Sequence, residues 1–432
     1  MKKFRKIIYL DYAAATPLDV RVLNAMRPFL TSTYGNPSSL HRKGLEAKNA
    51  VEKSRKSIAD IIGARPEEII FMSGGTEACN LAVFGVAKHA HISTKIKTSR
   101  HKPHIVTTVI EHHAVLEPIK ILQKLGWGVT FLPVDMEGLV NIDNLKKAIR
   151  KETKLVSVMY ANNEIGSVQP IAEIGRVLAR INTERGKYGL MPTLLHTDAC
   201  QAAGAFDLNV NRLQVDLMSV SASKFYGPKD SGFLYVKNGT PTYPIILGGG
   251  QERGLRSGTE NVAGIVGMAK ALEVSVSQRE RENQRLAGLR DYLINRLKQK
   301  LPKFILNGSS LEGKQVGKEM KNFISSKTSG RYKMMTLGSS KRLPNNVNLA
   351  IPGVEGEALM LYLDARGICV STGSACATGS TDASHVLKAI GRTEKQAKES
   401  IRITLGRDTK KSDVDYLIKS LKECIPLILD ER

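Results

Sequence analysis

Between Glu67 and Val236 the chain repeats one pattern: a short apolar run, a turn, an amphipathic stretch, then another apolar run. The apolar runs are Ile69–Met72, Ile105–Ile110, Val129–Pro133, Leu155–Met159, Leu194–Asp198, Leu217–Ser221 and Phe233–Val236. Several are apolar at consecutive rather than alternate positions, so the strands they form need cover on both faces. Between them, Ala114–Leu125, Ile142–Ile149 and Ile171–Ile181 carry helical periodicity. Strands covered on both faces and alternating with helices predict an α/β fold, with a mostly parallel seven-stranded sheet flanked by helices.

The remainder of the chain is organised around that block. At 432 residues the sequence exceeds what one hydrophobic core accommodates, so a large and a small lobe are expected. Ala263 to about Leu301 is a long proline-free helical stretch that links them. Gly308–Leu343 is rich in Ser, Lys and Gly, has weak periodicity, and reads as a basic insert. Beyond it, strand candidates Asn346–Leu349, Ile368–Ser371 and Ser400–Thr404 mix with helix candidates Gly356–Ala365, Ser384–Ile390 and Lys411–Ile425, a small α+β pattern. The expected division is a large domain over 18–265, with 1–17 and 266–432 forming the smaller one. No internal repeat is present.

A net charge of +23, from 64 basic and 41 acidic residues, admits nucleic acid or another anionic partner. The excess is concentrated, however. Lys88–His104 has five Lys/Arg and no acid, and Glu312–Arg342 has eight against two acids. Neither has interleaved aromatics for base stacking, so both read as surface loops and no strong direct nucleic-acid binding is expected. The first also holds four of the nine histidines, His89, His91, His101 and His104, without an acid or cysteine to complete a metal site. No apolar run reaches membrane-spanning length. Met1–Lys6 is basic, but Ile7–Leu10 is too short for a signal-peptide core before Asp11, so a cytoplasmic protein is expected. Cys79, Cys200, Cys369, Cys376 and Cys424 include no C-x-x-C pair, which argues against a disulfide framework or a zinc site.

Open α/β sheets bind ligands at the carboxyl ends of their strands, and five such ends carry polar residues. Met72-Ser73-Gly74-Gly75-Thr76-Glu77 turns into a helix, an arrangement suited to phosphate and equally to a structural turn. Val109-Ile110-Glu111-His112-His113 places two histidines at a strand end, of which at most one faces a site there. Tyr160-Ala161-Asn162-Asn163 fits ligand orientation and turn formation alike. Asp198 closes an apolar strand, where a buried carboxylate is costly without a positive partner. Lys224 closes another, in Ser219-Val220-Ser221-Ala222-Ser223-Lys224; a semi-buried lysine forms Schiff bases, whereas a surface lysine merely extends into solvent. Together, Asp198 and Lys224 supply a carboxylate for a pyridine nitrogen and an amine for an aldehyde, the pair that pyridoxal-phosphate (PLP) chemistry needs.

With these residues in place, the chain resembles the cysteine desulfurases of the class V aminotransferase group, within PLP fold type I. The likeness runs from Tyr9-Leu10-Asp11-Tyr12-Ala13-Ala14-Ala15-Thr16-Pro17 to Ser400-Ile401-Arg402-Ile403-Thr404-Leu405-Gly406. It implies that Lys224 holds PLP as a Schiff base, that Asp198 faces the pyridine nitrogen, and that Gln201 donates to the phenolic oxygen. His112 is implied to stack on the ring and assist proton transfer. Gly75, Thr76 and Ser221 are implied at the phosphate, along with Thr259 from the neighbouring subunit of a homodimer. Asn163 and Arg402 match residues near the substrate carboxylate, with Asn36 assisting; a guanidinium fits a carboxylate in bidentate fashion. Cys376, in Ser371-Thr372-Gly373-Ser374-Ala375-Cys376-Ala377-Thr378-Gly379-Ser380, matches the cysteine that takes the sulfur on a mobile loop near 371–381. The other four cysteines have apolar or helical surroundings and read as inert.

The implied reaction converts L-cysteine to L-alanine, leaves a persulfide on Cys376 and passes sulfur to an acceptor, an iron–sulfur scaffold or a tRNA-thiolation enzyme. Two departures stand out. Ser223 occupies the position where many members have histidine, so contacts to the cofactor differ there. Housekeeping members carry a C-terminal extension that docks the scaffold, whereas this sequence reaches Arg432 soon after its last helix, which puts that docking route in doubt. A selenocysteine lyase or another class V PLP enzyme is the nearest rival reading, and a basic nucleic-acid-binding protein a remote one.

Overall fold

The computed structural model describes residues 7–93, 102–301, 303–309, 341–373 and 383–430. The strands are β1 (Ile8–Tyr9), β2 (Ile69–Met72), β3 (His104–Thr108), β4 (Gly128–Leu132), β5 (Thr153–Ser157), β6 (Leu194–Asp198), β7 (Leu217–Ser221), β8 (Gly232–Val236), β9 (Ile305–Asn307), β10 (Asn346–Ala350), β11 (Ile368–Cys369) and β12 (Ser400–Thr404). Seven of them form one sheet in the order β2-β8-β7-β6-β5-β3-β4. Only β8 runs antiparallel to its neighbours, so β2, β3, β4, β5, β6 and β7 all end on the same edge.

Consecutive apolar residues of one strand enter different cores, which explains the unbroken apolar runs. Leu155, Leu194 and Leu217 pack on one face with Ala78, Val83, Val115 and Ile119. Their neighbours Val156, Leu195 and Met218 pack on the other with Ile58, Ile62, Ile171 and Leu178. Helices α1 (Val20–Thr31), α2 (Arg42–Ile62), α3 (Gly75–Ser93), α4 (His113–Lys124), α5 (Ile142–Ala148), α6 (Ile171–Lys187) and α7 (Val210–Leu213) accompany this sheet. The sequence reading did not anticipate α1 and α2.

Helix α8 (Val262–Lys300) is 39 residues long and serves two cores. Its first turns bury Ile265, Met268 and Leu272 against the large sheet. Its later turns bury Leu286, Leu293, Ile294 and Leu297 against the small sheets. There β9 and β12 flank β10 in an antiparallel sheet, while β1 pairs parallel with β11. Helices Gly356–Asp364, His385–Ala389, Glu394–Lys398 and Lys411–Asp430 complete the chain.

Residues 310–340 of the basic insert lie outside the described residues, but its two ends meet. Arg342 donates from Nη1 to the Ser309 carbonyl at 2.7 Å, and the Ser309 hydroxyl donates to the Lys341 carbonyl at 3.0 Å. His104, at the end of the other basic stretch, is buried with its ring nitrogens 2.9 Å from the hydroxyls of Thr153 and Thr130. Burial pushes its pKa down to about 4, so the ring is neutral.

Candidate active site

The shared strand edge gathers most of the residues singled out in the sequence. Lys224 ends a short 3-10 turn, Ala222–Lys224, directly after β7. Its Nζ donates to the carbonyls of Ala14 at 2.6 Å and Ala13 at 3.2 Å. The Ala13 carbonyl also accepts from Gln201 Nε2 at 2.9 Å, which brings Lys224 and Gln201 together. Thr16 fixes this arrangement from below. Its hydroxyl donates to the Ser223 carbonyl at 2.9 Å and accepts from Tyr226 N–H at 2.7 Å. Tyr226 itself has φ +65°, a left-handed conformation that closes the turn after the lysine.

Asp198, the last residue of β6, is buried, and Oδ1 accepts from the Cys200 N–H at 2.9 Å. Among the described residues it forms no ion pair. Behind it, His196 spans the Ser157 hydroxyl at 2.8 Å and the Ser219 hydroxyl at 2.9 Å. Burial lowers its pKa to about 4, so it supplies no positive charge to Asp198 at neutral pH. Glu111 is also fully buried. It accepts from the Thr108 hydroxyl at 2.7 Å and the Met159 N–H at 2.8 Å, leaving Oε2 without a hydrogen-bond partner. Burial first, and the Asp198 charge in addition, raise it to about 8, so it is mostly protonated at pH 7.

His112 caps α4: its Nδ1 accepts from the Ala114 N–H at 3.1 Å. An accepting Nδ1 places the proton of the neutral ring on Nε2. His113 is directed elsewhere, 3.6 Å from Glu117 on its own helix, so the two adjacent histidines diverge as expected.

At β2, the chain enters α3 at Gly75, whose first-turn N–H groups open toward the strand edge. A Cβ at Gly75 would lie 2.6 Å from Cys200 Sγ and 3.4 Å from Ser221 Cβ, so glycine is required for this approach. The Ser221 and Ser223 hydroxyls are 3.1 Å apart beside it. Thr76, in the same first turn, is exposed.

Arg402 on β12 is 1% exposed. Its Nη2 donates to Asp11 Oδ1 at 2.7 Å and its Nη1 to the Asn163 carbonyl at 3.2 Å, while Nε is buried without a hydrogen-bond partner among the described residues. Asn162 is a turn-builder: its Oδ1 accepts from the N–H groups of Glu164 and Ile165 at 2.8 and 3.0 Å. Asn36 is exposed and its Oδ1 accepts from Ser38 N–H at 2.9 Å, while Thr259 is exposed on a surface segment. Among the described residues no hydrogen bond or ion pair joins either to the rest of the site. Cys376 lies outside the described residues. Cys79, Cys200 and Cys424 are buried, and burial raises the pKa of all three and of the half-buried Cys369, which keeps these thiols unreactive.

Asp11, Ala13, Ala14 and Thr16 contact the candidate site residues, or the turn that carries them, and residue-type reasoning missed them. Their only signal was the Tyr9–Pro17 block itself, since three of them work through main-chain carbonyls or a buried hydroxyl.

A cofactor bearing a phosphate, an aldehyde and a basic ring nitrogen fits these groups. The phosphate matches the α3 N-terminus with the Ser221 and Ser223 hydroxyls, the aldehyde matches Lys224 Nζ, and a protonated ring nitrogen matches the unpaired buried Asp198.

Comparison with known proteins identifies the family. The family model described as "Aminotransferase class-V" matches residues 8–317 and 312–417. The protein named cysteine desulfurase IscS from Dictyoglomus turgidum is 46% identical over 421 residues, covering 98% of this chain and 95% of the relative. A solved structure titled NifS-like protein superposes with TM-score 0.82 at 35% identity, covering 98% of this chain and all of that one. Another, titled SspA in complex with cysteine, gives TM-score 0.68 at 32% identity over 92% of this chain and 98% of its own.

Proposed function

The chain belongs to the class V aminotransferase family, among its cysteine desulfurases, and from that premise we propose that it takes sulfur from L-cysteine with PLP held by Lys224. The observation that carries this reading is the pair at neighbouring strand ends: a buried Asp198 that has no ion-pair partner among the described residues, and Lys224 held over the Ala13 and Ala14 carbonyls. When bound, the cofactor supplies an electron sink for charge released at the substrate carbon.

The chain's own groups do the rest. Asp198 keeps the ring nitrogen protonated, and Gln201 donates toward the ring oxygen. Gly75, Thr76, Ser221 and Ser223 hold the phosphate, and Thr259 of a second copy joins them in a homodimer. Arg402, with Asn163 and Asn36, orients the substrate carboxylate. Lys224 Nζ would take the α-proton, and His112, with its proton on Nε2, would stack on the cofactor and assist. The Cys376 thiolate attacks the substrate sulfur; the carbon–sulfur bond breaks, a sulfur–sulfur bond forms, and the carbon receives a proton. One cysteine and one thiol thus give one alanine and one persulfide, and an acceptor, an iron–sulfur scaffold or a tRNA-thiolation enzyme, then takes the terminal sulfur.

The split of α8 between two cores supports a large and a small domain, with 18–265 in the large one and 1–17 and most of 266–432 in the small one; Met268 and Leu272 still pack in the large core, so the change of core falls further along α8, before Leu286. No helix among the described residues is long and apolar enough to cross a membrane, and the four described cysteines are free thiols, which suits a cytoplasmic location. The test is release of alanine and sulfide from cysteine in the presence of a thiol reductant. Wild type is expected to turn over, Lys224→Ala to lose the visible absorbance of the bound cofactor, and Cys376→Ala to lose sulfur release. Full activity in Cys376→Ala would refute the role given to that thiol.

A further inference from the structure

The Cys376-bearing segment leaves the described structure at Gly373 and returns at Ala383. Its two stems converge on one buried carboxylate, Glu164, which the reaction scheme above does not use. Glu164 is 2% exposed. On the downstream stem, the Ser384 hydroxyl donates to Glu164 Oε2 at 2.6 Å. On the upstream stem, the backbone at Gly373 passes so close that a Cβ there would lie 3.6 Å from the same oxygen.

The carboxylate is rigidly mounted. The Glu164 N–H donates to Asn162 Oδ1 at 2.8 Å, and its carbonyl accepts from Asn346 Nδ2 at 3.1 Å and Asn348 Nδ2 at 3.2 Å on β10. The preceding residue is Asn163, whose carbonyl accepts from Arg402. Arg402 in turn exchanges both backbone hydrogen bonds with Ser371 at the upstream stem, at 2.6 and 3.1 Å. Downstream, His385 Nε2 lies 3.0 Å from the carbonyl of Glu111, the residue before His112. The upstream stem is therefore tied to Arg402 and the downstream stem to the residue before His112, while Glu164 bonds the downstream stem and lies beside the upstream one.

We infer that Glu164 is a positioning residue: through its bond to Ser384, beside the backbone of Gly373, it sets the stems of the Cys376 segment relative to Arg402 and Asn163, the pair proposed to bind the substrate carboxylate. The inference rests on the desulfurase reading. Its physical basis is that sulfur transfer needs the thiol in line with the substrate sulfur, and a misplacement of about 1 Å costs on the order of 100-fold in rate. Cysteine binding needs no such alignment. A buried carboxylate is expensive to maintain, and a hydroxyl contact that sets the stem geometry gives it a use.

The experiment is single-turnover formation of alanine and Cys376 persulfide by the PLP-loaded enzyme, alongside cysteine binding read from the cofactor absorbance. Glu164→Ala and Ser384→Ala are each expected to slow transfer by about 10- to 100-fold while cysteine affinity stays within about twofold. The double variant should be no slower than the slower single one, because both remove the same contact. Glu164→Gln and Ser384→Thr keep an acceptor and a hydroxyl, and should retain most of the rate. Wild-type transfer rates in both alanine variants, or multiplicative losses in the double variant, would overturn the inference. A wild type that binds cysteine but forms no alanine sinks the functional reading instead. Iodoacetamide labelling of Cys376 then still tests the tie, which an unchanged labelling rate in Glu164→Ala and Ser384→Ala would refute.

Discussion

Arg402 is asked to do two things with one guanidinium. It holds Asp11 at 2.7 Å within the fold, and it is the group proposed to receive the substrate carboxylate. On that proposal the two carboxylates would compete, and Asp11 would tune affinity. Asp11→Asn removes the competing charge and is expected to lower the KM for cysteine several-fold. Arg402→Lys loses the planar fork and is expected to raise KM by about 10- to 100-fold, the worth of one or two charged hydrogen bonds. Steady-state kinetics on both variants check this, and an unchanged KM in Arg402→Lys removes that residue from substrate binding. Two buried titratable groups make the stability pH-dependent in opposite senses. His196 has a folded value of about 4 against an ordinary 6.5, so the unfolded chain binds more protons between those values. Stability is therefore lost as pH falls through that window, by up to roughly 3 kcal/mol. Glu111 is raised from 4.5 to about 8, so the folded chain holds the extra proton and stability declines as pH rises from 4.5 to 8. Urea midpoints across pH 4 to 9 should show the acid limb flatten in His196→Gln and the alkaline limb flatten in Glu111→Gln; unaltered limbs would refute the assignments.

The element that shapes the phosphate end is the N-terminus of α3, set against the loop after β6. Gly75→Ala would push a Cβ into Cys200 Sγ, a buried atom with little room to retreat. The expected result is a cofactor dissociation constant about tenfold higher, since even a small shift misaligns several amide donors. Cys200→Ala in the same chain removes the clash, and cofactor affinity measured by absorbance titration should recover; no recovery would place the fault elsewhere. This element also shows what a sequence reveals and what it hides. The bounds of β2, β6, β7 and β12 were legible because apolar runs end sharply in Gly, Ser, Asp or Thr at a functional edge. Lys224 and Asp198 were legible because their chemistry belongs to their side chains. Ala13 and Ala14 were not, because a carbonyl that holds Lys224 is available to any residue type, and Asp11 and Thr16 were not, because they act on Arg402 and on the turn around Lys224 from a distant part of the chain. Helix α2 was hidden for a different reason: its buried face includes Ser54 and Arg55 among Ala47, Val51, Ile58 and Ile62, and Arg55 is tolerated there through its 2.7 Å pair with the distant Glu252, a 3.2 Å pair with Glu52 and a 2.7 Å bond to the Ile69 carbonyl.

That Arg55–Glu252 pair matters at the scale of the whole molecule, because it anchors the segment that carries Thr259. Glu252 also accepts from the Phe71 N–H at 2.8 Å, and Arg256 pairs with Glu77 of α3 at 2.9 Å. The segment is thus fixed firmly to its own large sheet, yet Thr259 makes no described contact with its own cofactor cradle, and nearby Leu247 is 72% exposed. A rigid, partly apolar surface ending in an exposed hydroxyl suits completion of a neighbour's site rather than its own. Mixed dimers distinguish the two arrangements. Combine a Lys224→Ala chain with a Thr259→Ala chain, each impaired as a homodimer. If Thr259 acts across the interface, the mixed dimer contains one site with an intact lysine and an intact partner threonine, and a second site lacking both. Its activity should then reach about half that of wild type per dimer, with half the cofactor bound. If Thr259 serves its own subunit, both sites carry one lesion each, and mixing restores nothing. Tagged co-expression, isolation of the mixed species and a count of bound cofactor by absorbance give the answer. A mixed dimer no more active than the Thr259→Ala parent would rule out the shared site, because one lesion would then reside in every site whatever the pairing.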